Sequence, residues 1–400
     1  MTRLSPVSLS VLRNLGALLA MGLLTACAGV NLNPLEWFGD DEVNPPKELV
    51  EIAEEVRLRR LWSVNVGNGQ GDNYTRIIPA VDRGVVYAAS ENGTVVAVDL
   101  SSGDVIWRER LEDVTLTGGV GAGGGLVAVG TRDAEVVALD QQDGSVRWIT
   151  PVTSEVVAAP TTNGDIVVVQ TVDDKVSGLE ASNGERRWIY ESTQPALTLR
   201  GTSRPVITSA GSVIAGFSNG TLVSVSASDG VWRWEERIAV PEGRYDIERV
   251  IDVDGDLLVD GSRILASSYQ GNLMALDILT GRIVWGLEGT SSYHGLARGF
   301  GNLYYSDDES LVVAIRDNSE DIVWRNEDLQ FRQITAPTAI TNYVAVADFE
   351  GYLHLLSQID GRIVGRVRVD SDGVRSNLIN SNGRLIAYGN SGTLAAYSIQ

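Results

Sequence analysis

The stretch Ala134-Glu135-Val136-Val137-Ala138-Leu139-Asp140-Gln141-Gln142-Asp143-Gly144-Ser145-Val146-Arg147-Trp148 reads as a short apolar strand, a polar turn around Gly144 and a second strand that carries a tryptophan. Its pattern is copied along most of the chain. In six copies the first residue and the tryptophan stand fourteen positions apart: Gly93 with Trp107, Ala134 with Trp148, Asp174 with Trp188, Gly220 with Trp234, Gly271 with Trp285, and Ser310 with Trp324. A seventh copy starts at Gly351 and has Gly365 in the tryptophan place, and an eighth starts at Gly392, too near Gln400 to hold its closing strand. Successive copies begin 41, 40, 46, 51, 39, 41 and 41 residues apart, which is the period of four-stranded propeller blades.

The chain supplies the missing strand at its other end. Trp62, in Leu61-Trp62-Ser63-Val64, precedes the first full copy and has no start residue of its own. The pattern therefore predicts an all-β, eight-bladed β-propeller of four-stranded antiparallel blades over residues 61–400, closed by the N-terminal strand around Trp62, which completes the C-terminal blade. Closure of this kind leaves only short, protected sheet edges. Prolines at Pro79, Pro160, Pro205 and Pro337 mark the starts of inner strands, where a missing N–H is tolerated. Second strands such as Val85-Val86-Tyr87-Ala88-Ala89 are apolar throughout, as a sheet buried on both faces requires. Each tryptophan is expected to pack on a glycine turn or an adjoining blade, so Gly365 predicts a looser seventh blade.

Ahead of the repeats, Met1–Ala26 has the form of a targeting segment. Arg3 and Arg13 open it, Leu15–Leu24 is apolar but short for a membrane span, and no acidic residue occurs before Glu36. Leu24-Thr25-Ala26-Cys27 has the form of a bacterial lipobox, in which the cysteine becomes the acylated first residue of the mature protein. Cys27 is the single cysteine of the chain, so no intramolecular disulfide can form. Residues 27–60 read as a lipidated tether: Pro34, Pro45 and Pro46 interrupt a run with Glu36, Asp40, Asp41 and Glu42, and Lys47–Arg60 has room for a short helix that spaces the ring from the membrane.

The formal net charge is −20, and removal of Met1–Ala26 would take away only two basic residues and no acidic one. Such a surface argues against nucleic acid or an anionic membrane face as partner. Two connections between blades are long, Ile189–Arg204 and Glu235–Asp256. They follow consecutive blades and leave from equivalent strands, so they belong side by side on one rim, and long loops on a rigid scaffold are where binding residues concentrate.

Those loops also carry a resemblance. The lipobox, the repeated tryptophan motif, Leu61-Trp62-Ser63 with Val66-Gly67-Asn68-Gly69, Pro195-Ala196-Leu197-Thr198-Leu199-Arg200-Gly201, Asp252-Val253-Asp254 and Glu350-Gly351-Tyr352-Leu353-His354 together resemble the BamB family, propeller lipoproteins of the outer-membrane β-barrel assembly (BAM) machinery. The resemblance covers essentially the whole mature chain. It implies a non-catalytic scaffold, anchored by lipid to the periplasmic face of the outer membrane of a Gram-negative bacterium, that docks on the POTRA domains of BamA and assists folding and insertion of β-barrel proteins. It implicates Leu197, Leu199, Arg200, Asp252 and Asp254 in partner binding, Cys27 in lipidation, and leaves direct contact with nascent outer-membrane proteins open. Residue chemistry fits: exposed leucines beside an arginine make an interface hot spot, and either aspartate is placed to pair with Arg200 or with the partner. The competing reading buries the leucines and makes the aspartates turn formers.

Catalytic chemistry finds little to work with. His294 and His354, the two histidines, fall in different blades with no metal-ligand spacing and no nucleophile–base pair, so no catalytic residue, metal or cofactor is assigned. Asp252-Val253-Asp254-Gly255-Asp256 begins like a calcium loop, but Leu257 stands at the glycine place and Arg263 where a bidentate glutamate is needed. Alternatives from other classes are a quinone (PQQ)-dependent dehydrogenase-like propeller, which shares the blade motif, and a periplasmic glycan-binding propeller, for which Tyr245, Tyr293, Tyr304 and Tyr305 are too scattered to form one aromatic face.

Overall fold

A computed structural model of the chain describes residues 44–71, 75–199 and 203–400. The targeting segment and Cys27 lie outside them. Eight four-stranded antiparallel sheets follow one another along the chain. The first blade sets the plan, with strands Ala80–Asp82, Val85–Ala89, Thr94–Asp99 and Val105–Arg110 paired in sequence order. Inner strands begin directly after Pro79, Pro160, Pro205 and Pro337, so each proline sits just outside the ladder it would otherwise interrupt. The eighth blade draws three strands from the C-terminal end, Ile379–Ser381, Arg384–Tyr388 and Thr393–Ile399, and its fourth from Leu58–Asn65. Trp62 lies opposite Ala396 in that last pairing, as the repeat pattern requires.

Core packing is divided among the seams between blades. Eight buried clusters each join two neighbours; the one that closes the ring sets Trp62, Tyr388, Leu394 and Ala396 of the eighth blade against Val86, Val96 and Val98 of the first. The Tyr388 hydroxyl donates across this seam to the carbonyl of Ala89 at 2.8 Å.

Six of the eight seams use a tryptophan in the same way. Trp107 lies on Gly144 in the turn of the following blade and donates its indole N–H to the carbonyl of Gln141 at 2.9 Å. Trp62, Trp148, Trp188, Trp234 and Trp324 repeat the arrangement on Gly103, Gly184, Gly230, Gly281 and Gly361. A Cβ on any of these glycines would stand under 3 Å from the ring, so glycine is needed here for close approach as well as for its positive φ. Trp285 departs from the pattern. Glu320 occupies the glycine place in the turn it would lie on, and the ring stays half-buried.

The same logic explains Gly365. A tryptophan there would need the turn between the third and fourth strands of the eighth blade, and that turn does not exist, because those strands come from opposite ends of the chain. The seventh blade is not looser for the loss. Val56 takes the place: its carbonyl lies where a Cβ of Gly365 would be 2.6 Å away, and the amides of Glu55 and Val56 donate to the carbonyl of Val364.

Residues 47–57 form no helix. They run extended over the sixth and seventh blades, with Leu49 and Ile52 packed beside Ile363 and Val56 buried beside Val364. The extended backbone buries three aliphatic residues spaced three and four apart, and the amides that a helix would pair internally are met in part by the blades, Lys47 by Gln330 and Glu55 and Val56 by Val364. Buried Arg332 anchors the segment, donating to the Asp348 carboxylate at 2.8 Å and to the carbonyl of Lys47 at 2.9 Å, and pairing with Glu350. Arg366 donates to the carbonyl of Val50 and to Nδ1 of His354. His354 therefore carries its proton on Nε2, which faces Asp348 at 3.1 Å.

Candidate docking site

The loops that follow the third and fourth blades meet. The backbone N–H of Leu199 donates to the carboxylate of Asp252 at 2.5 Å, so the second loop holds the first. Leu197 projects outward at 43% exposure, whereas Leu199 is half-buried and turned toward the ring axis. Arg200, the third residue implicated in the first loop, lies outside the described residues.

Asp252 and Asp254 do not share a role. Asp252 is fully buried, and it acts on the loop from beneath rather than as a surface contact. Burial, then the neighbouring charge of Asp254, push its carboxyl up to about 8 against the pull of the Leu199 N–H. Asp254 is half-exposed to an axial cavity; burial pushes it up to about 7, with Arg76 pulling the other way and Asp174 adding to the rise. Asp174 is itself buried under the loops and accepts from the Ser218 hydroxyl and amide. Asp252 and Asp174 are thus buried below the rim with Asp254 beside them on the cavity wall, and burial together with mutual repulsion favours the neutral form of each carboxyl.

The cavity, of about 430 Å³, opens on the ring axis and is lined by Arg76, Leu199, Arg204, Asp254, Tyr269 and Tyr293 together with backbone from further blades. The Arg76 guanidinium stacks over the Tyr293 ring at 5.2 Å. The second loop also carries features that a loop-length argument misses. A single 3-10 turn, Asp246–Arg249, is held by the Glu248 carboxylate accepting from the amides of Arg244 and Tyr245, at 2.7 and 3.2 Å. It presents Tyr245 and Ile247 to solvent. Exposed apolar residues within an otherwise charged loop were the available signal. His294 is buried against Tyr293, and burial followed by the charge of Arg76 holds its imidazole well below the ordinary value. His354 sits remote from the loops, in the buried network of the seventh blade.

Comparison with known proteins converges on one family. The model of the family described as outer membrane protein assembly factor BamB matches residues 57–115 and 91–326. The outer membrane protein assembly factor BamB of Pseudomonas aeruginosa is 48% identical over 89% of this chain and 93% of its own length. The crystal structure of BamB from Moraxella catarrhalis superposes with a TM-score of 0.78 at 28% identity, covering 86% of this chain and all of that one. A quinohemoprotein alcohol dehydrogenase from Comamonas testosteroni gives a TM-score of 0.66 at 14% identity over 85% of this chain and 76% of its own, a likeness of fold alone. Eight blades closed end to end, paired rim loops and near-full-length identity to these relatives lead to one statement: the chain belongs to the family of the outer membrane protein assembly factor BamB.

Proposed function

We propose that this protein is a non-catalytic scaffold of the outer-membrane β-barrel assembly machinery, tethered to the outer membrane through lipid on Cys27 and docked through its paired rim loops on the POTRA domains of BamA. One observation carries the docking reading. Leu197 stands exposed on a loop whose backbone is fixed by the Leu199 N–H to Asp252 bond, so an apolar anchor is presented without the entropy of a free loop. Leu197 makes the apolar contact, Leu199 and Asp252 set the loop, and Arg200 supplies the charged neighbour; Asp254 acts from the cavity wall. No helix among the described residues is long and apolar enough to cross a membrane.

Leu197→Asp is expected to abolish co-purification with BamA from detergent-solubilised envelopes, because a charge buried in an interface core costs several kcal/mol. Circular dichroism and thermal unfolding should match the unaltered protein. Retained co-purification of a folded Leu197→Asp variant would remove this loop from the interface.

A further inference from the structure

The axial cavity below the rim holds charges of both signs that do not meet. Arg76 and Arg204 reach it from the segments that enter the first and fourth blades, Asp254 and Asp256 from the segment that enters the fifth, and all four side chains are half-buried. Arg76 lies over the Tyr293 ring at 5.2 Å, and Arg204 donates from Nε to the Thr161 hydroxyl at 3.3 Å. Among the described residues no carboxylate oxygen stands within 4.0 Å of either guanidinium. Asp256 accepts from the Asn377 side-chain amide at 3.4 Å, and Asp254 accepts from no side chain or amide among the described residues.

Elsewhere in the ring such groups close on one another. Between the fifth and sixth blades, Arg263 and Arg298 both pair with Asp260 and Asp317. In the cavity the two signs are held apart by backbone anchored to different blades, so each keeps hydrogen-bonding capacity for whatever enters the shared space. The wall beside them is apolar at Ile78, Val157 and Leu199 and aromatic at Tyr269 and Tyr293, whose rings meet edge to face at 6.3 Å. A few polar groups converging on an apolar hollow is the make-up of a small-molecule site, and a volume of about 430 Å³ falls inside the usual span of about 300–1,000 Å³.

We propose that the axial cavity binds a small zwitterion with apolar side groups, of the class of a free dipeptide, its carboxylate toward Arg76 and Arg204 and its ammonium toward Asp254 and Asp256. The apolar groups lie against Ile78, Val157, Leu199 and the tyrosine rings. Other ligand classes fit worse. An anion would meet two aspartates and the repulsion of a chain whose formal charge is −20. A cation would meet two guanidiniums. A neutral apolar molecule would strip water from four polar groups and return no hydrogen bond. A zwitterion carries no net charge and offers each sign its opposite, and the guanidinium fork matches a carboxylate with two parallel bonds. Burial pushes the Asp254 carboxyl up to about 7 against the pull of Arg76, so an ammonium beside it restores a charge that the empty wall opposes.

The test is calorimetric titration of the purified full-length protein with the dipeptide Leu-Phe, beside its N-acetyl form, which lacks the ammonium, and its C-terminal amide, which lacks the carboxylate. Leu-Phe should bind saturably, one per chain, and each cap should weaken it about tenfold or more, the loss expected of a charge-assisted hydrogen bond. Substitution then assigns each end. With Arg76→Gln and Arg204→Gln together, the free dipeptide and its amide should bind alike; with Asp254→Asn and Asp256→Asn together, the free and acetylated forms should. The comparison of capped and free forms needs no variant, so it decides the matter even if a variant fails to fold. No saturable binding at millimolar Leu-Phe, capped forms that bind as tightly as the free one, or binding untouched by both pairs of substitutions would each overturn the proposal. Leu197 stands on the outer side of its loop, so Leu197→Asp should bind the dipeptide normally, and failure of the docking reading or of this one leaves the other standing.

Discussion

Asp252 shows how much of a site can hang on one carboxyl. The Leu199 N–H favours its charged form, while burial and the neighbouring Asp254 and Asp174 oppose it, and opposition wins. A carboxyl raised from 3.8 to about 8 contributes stability that is fully present below 3.8 and is lost as the pH rises toward about 8. Asparagine would keep the acceptor for Leu199 and carry no charge. Asp252→Asn is therefore expected to flatten the loss of thermal stability as the pH rises from 3.8 toward about 8, whereas Asp252→Ala leaves the amide unmet and should cost about 1–3 kcal/mol. Melting curves recorded below and above neutrality separate the two; an asparagine variant more sensitive to rising pH than the unaltered protein would contradict this account. None of it was legible in Asp252-Val253-Asp254, which reads locally as a turn. Its burial is set by residue 199, more than fifty positions away, and a single sequence carries no sign of that pairing.

Among elements, the segment before the closing strand is the one that sequence reading misjudged. Its prolines and glutamates have the composition of a linker, and Leu49, Ile52 and Val56 have helical spacing. Yet the chain did contain the clue, in the glycine that replaces a tryptophan. Gly365→Ala is expected to push the Val56 carbonyl off the seventh blade, costing about 1–3 kcal/mol as overpacking does, and to open residues 46–57 to protease. Cleavage there no faster than in the unaltered protein would count against it. Acid should act on the same contact. Burial, followed by the charges of Arg366 and Arg332, holds His354 below 6.5 against the pull of Asp348, and its Nδ1 is already occupied as an acceptor from Arg366. A histidine whose folded pKa is lowered contributes stability that is present above 6.5 and is lost as the pH falls through that value. Below its own lowered value, a proton at Nδ1 would displace Arg366 and with it the hold on Val50. Hydrogen exchange of residues 47–56 should accelerate on acidification and should not do so in His354→Gln. The blades themselves were legible because one local rule, indole on glycine, is repeated at six of the eight seams.

At the scale of the whole molecule, closure rests on the pairing of Leu58–Asn65 with Thr393–Ile399. Asn65 and Thr393 are opposite residues near the mouth of that pairing, within the distance that a disulfide spans in an antiparallel ladder. Cysteines at both positions, with Cys27 replaced, should raise stability by about 2–4 kcal/mol when oxidised, because the bridge closes almost the entire chain. Equal melting temperatures for the oxidised and reduced forms would show that the seam is not where unfolding begins.

The seam has a consequence for how the protein is made. The first strand of the ring, Leu58–Asn65, has as its mate the last, Thr393–Ile399, so the ring cannot close until Thr393–Ile399 exists. A polypeptide threaded head first through a narrow export pore could complete its ring only after its tail had cleared the exit, so its maturation time is set by transit of the whole chain, and its opening strand must be kept from other company throughout.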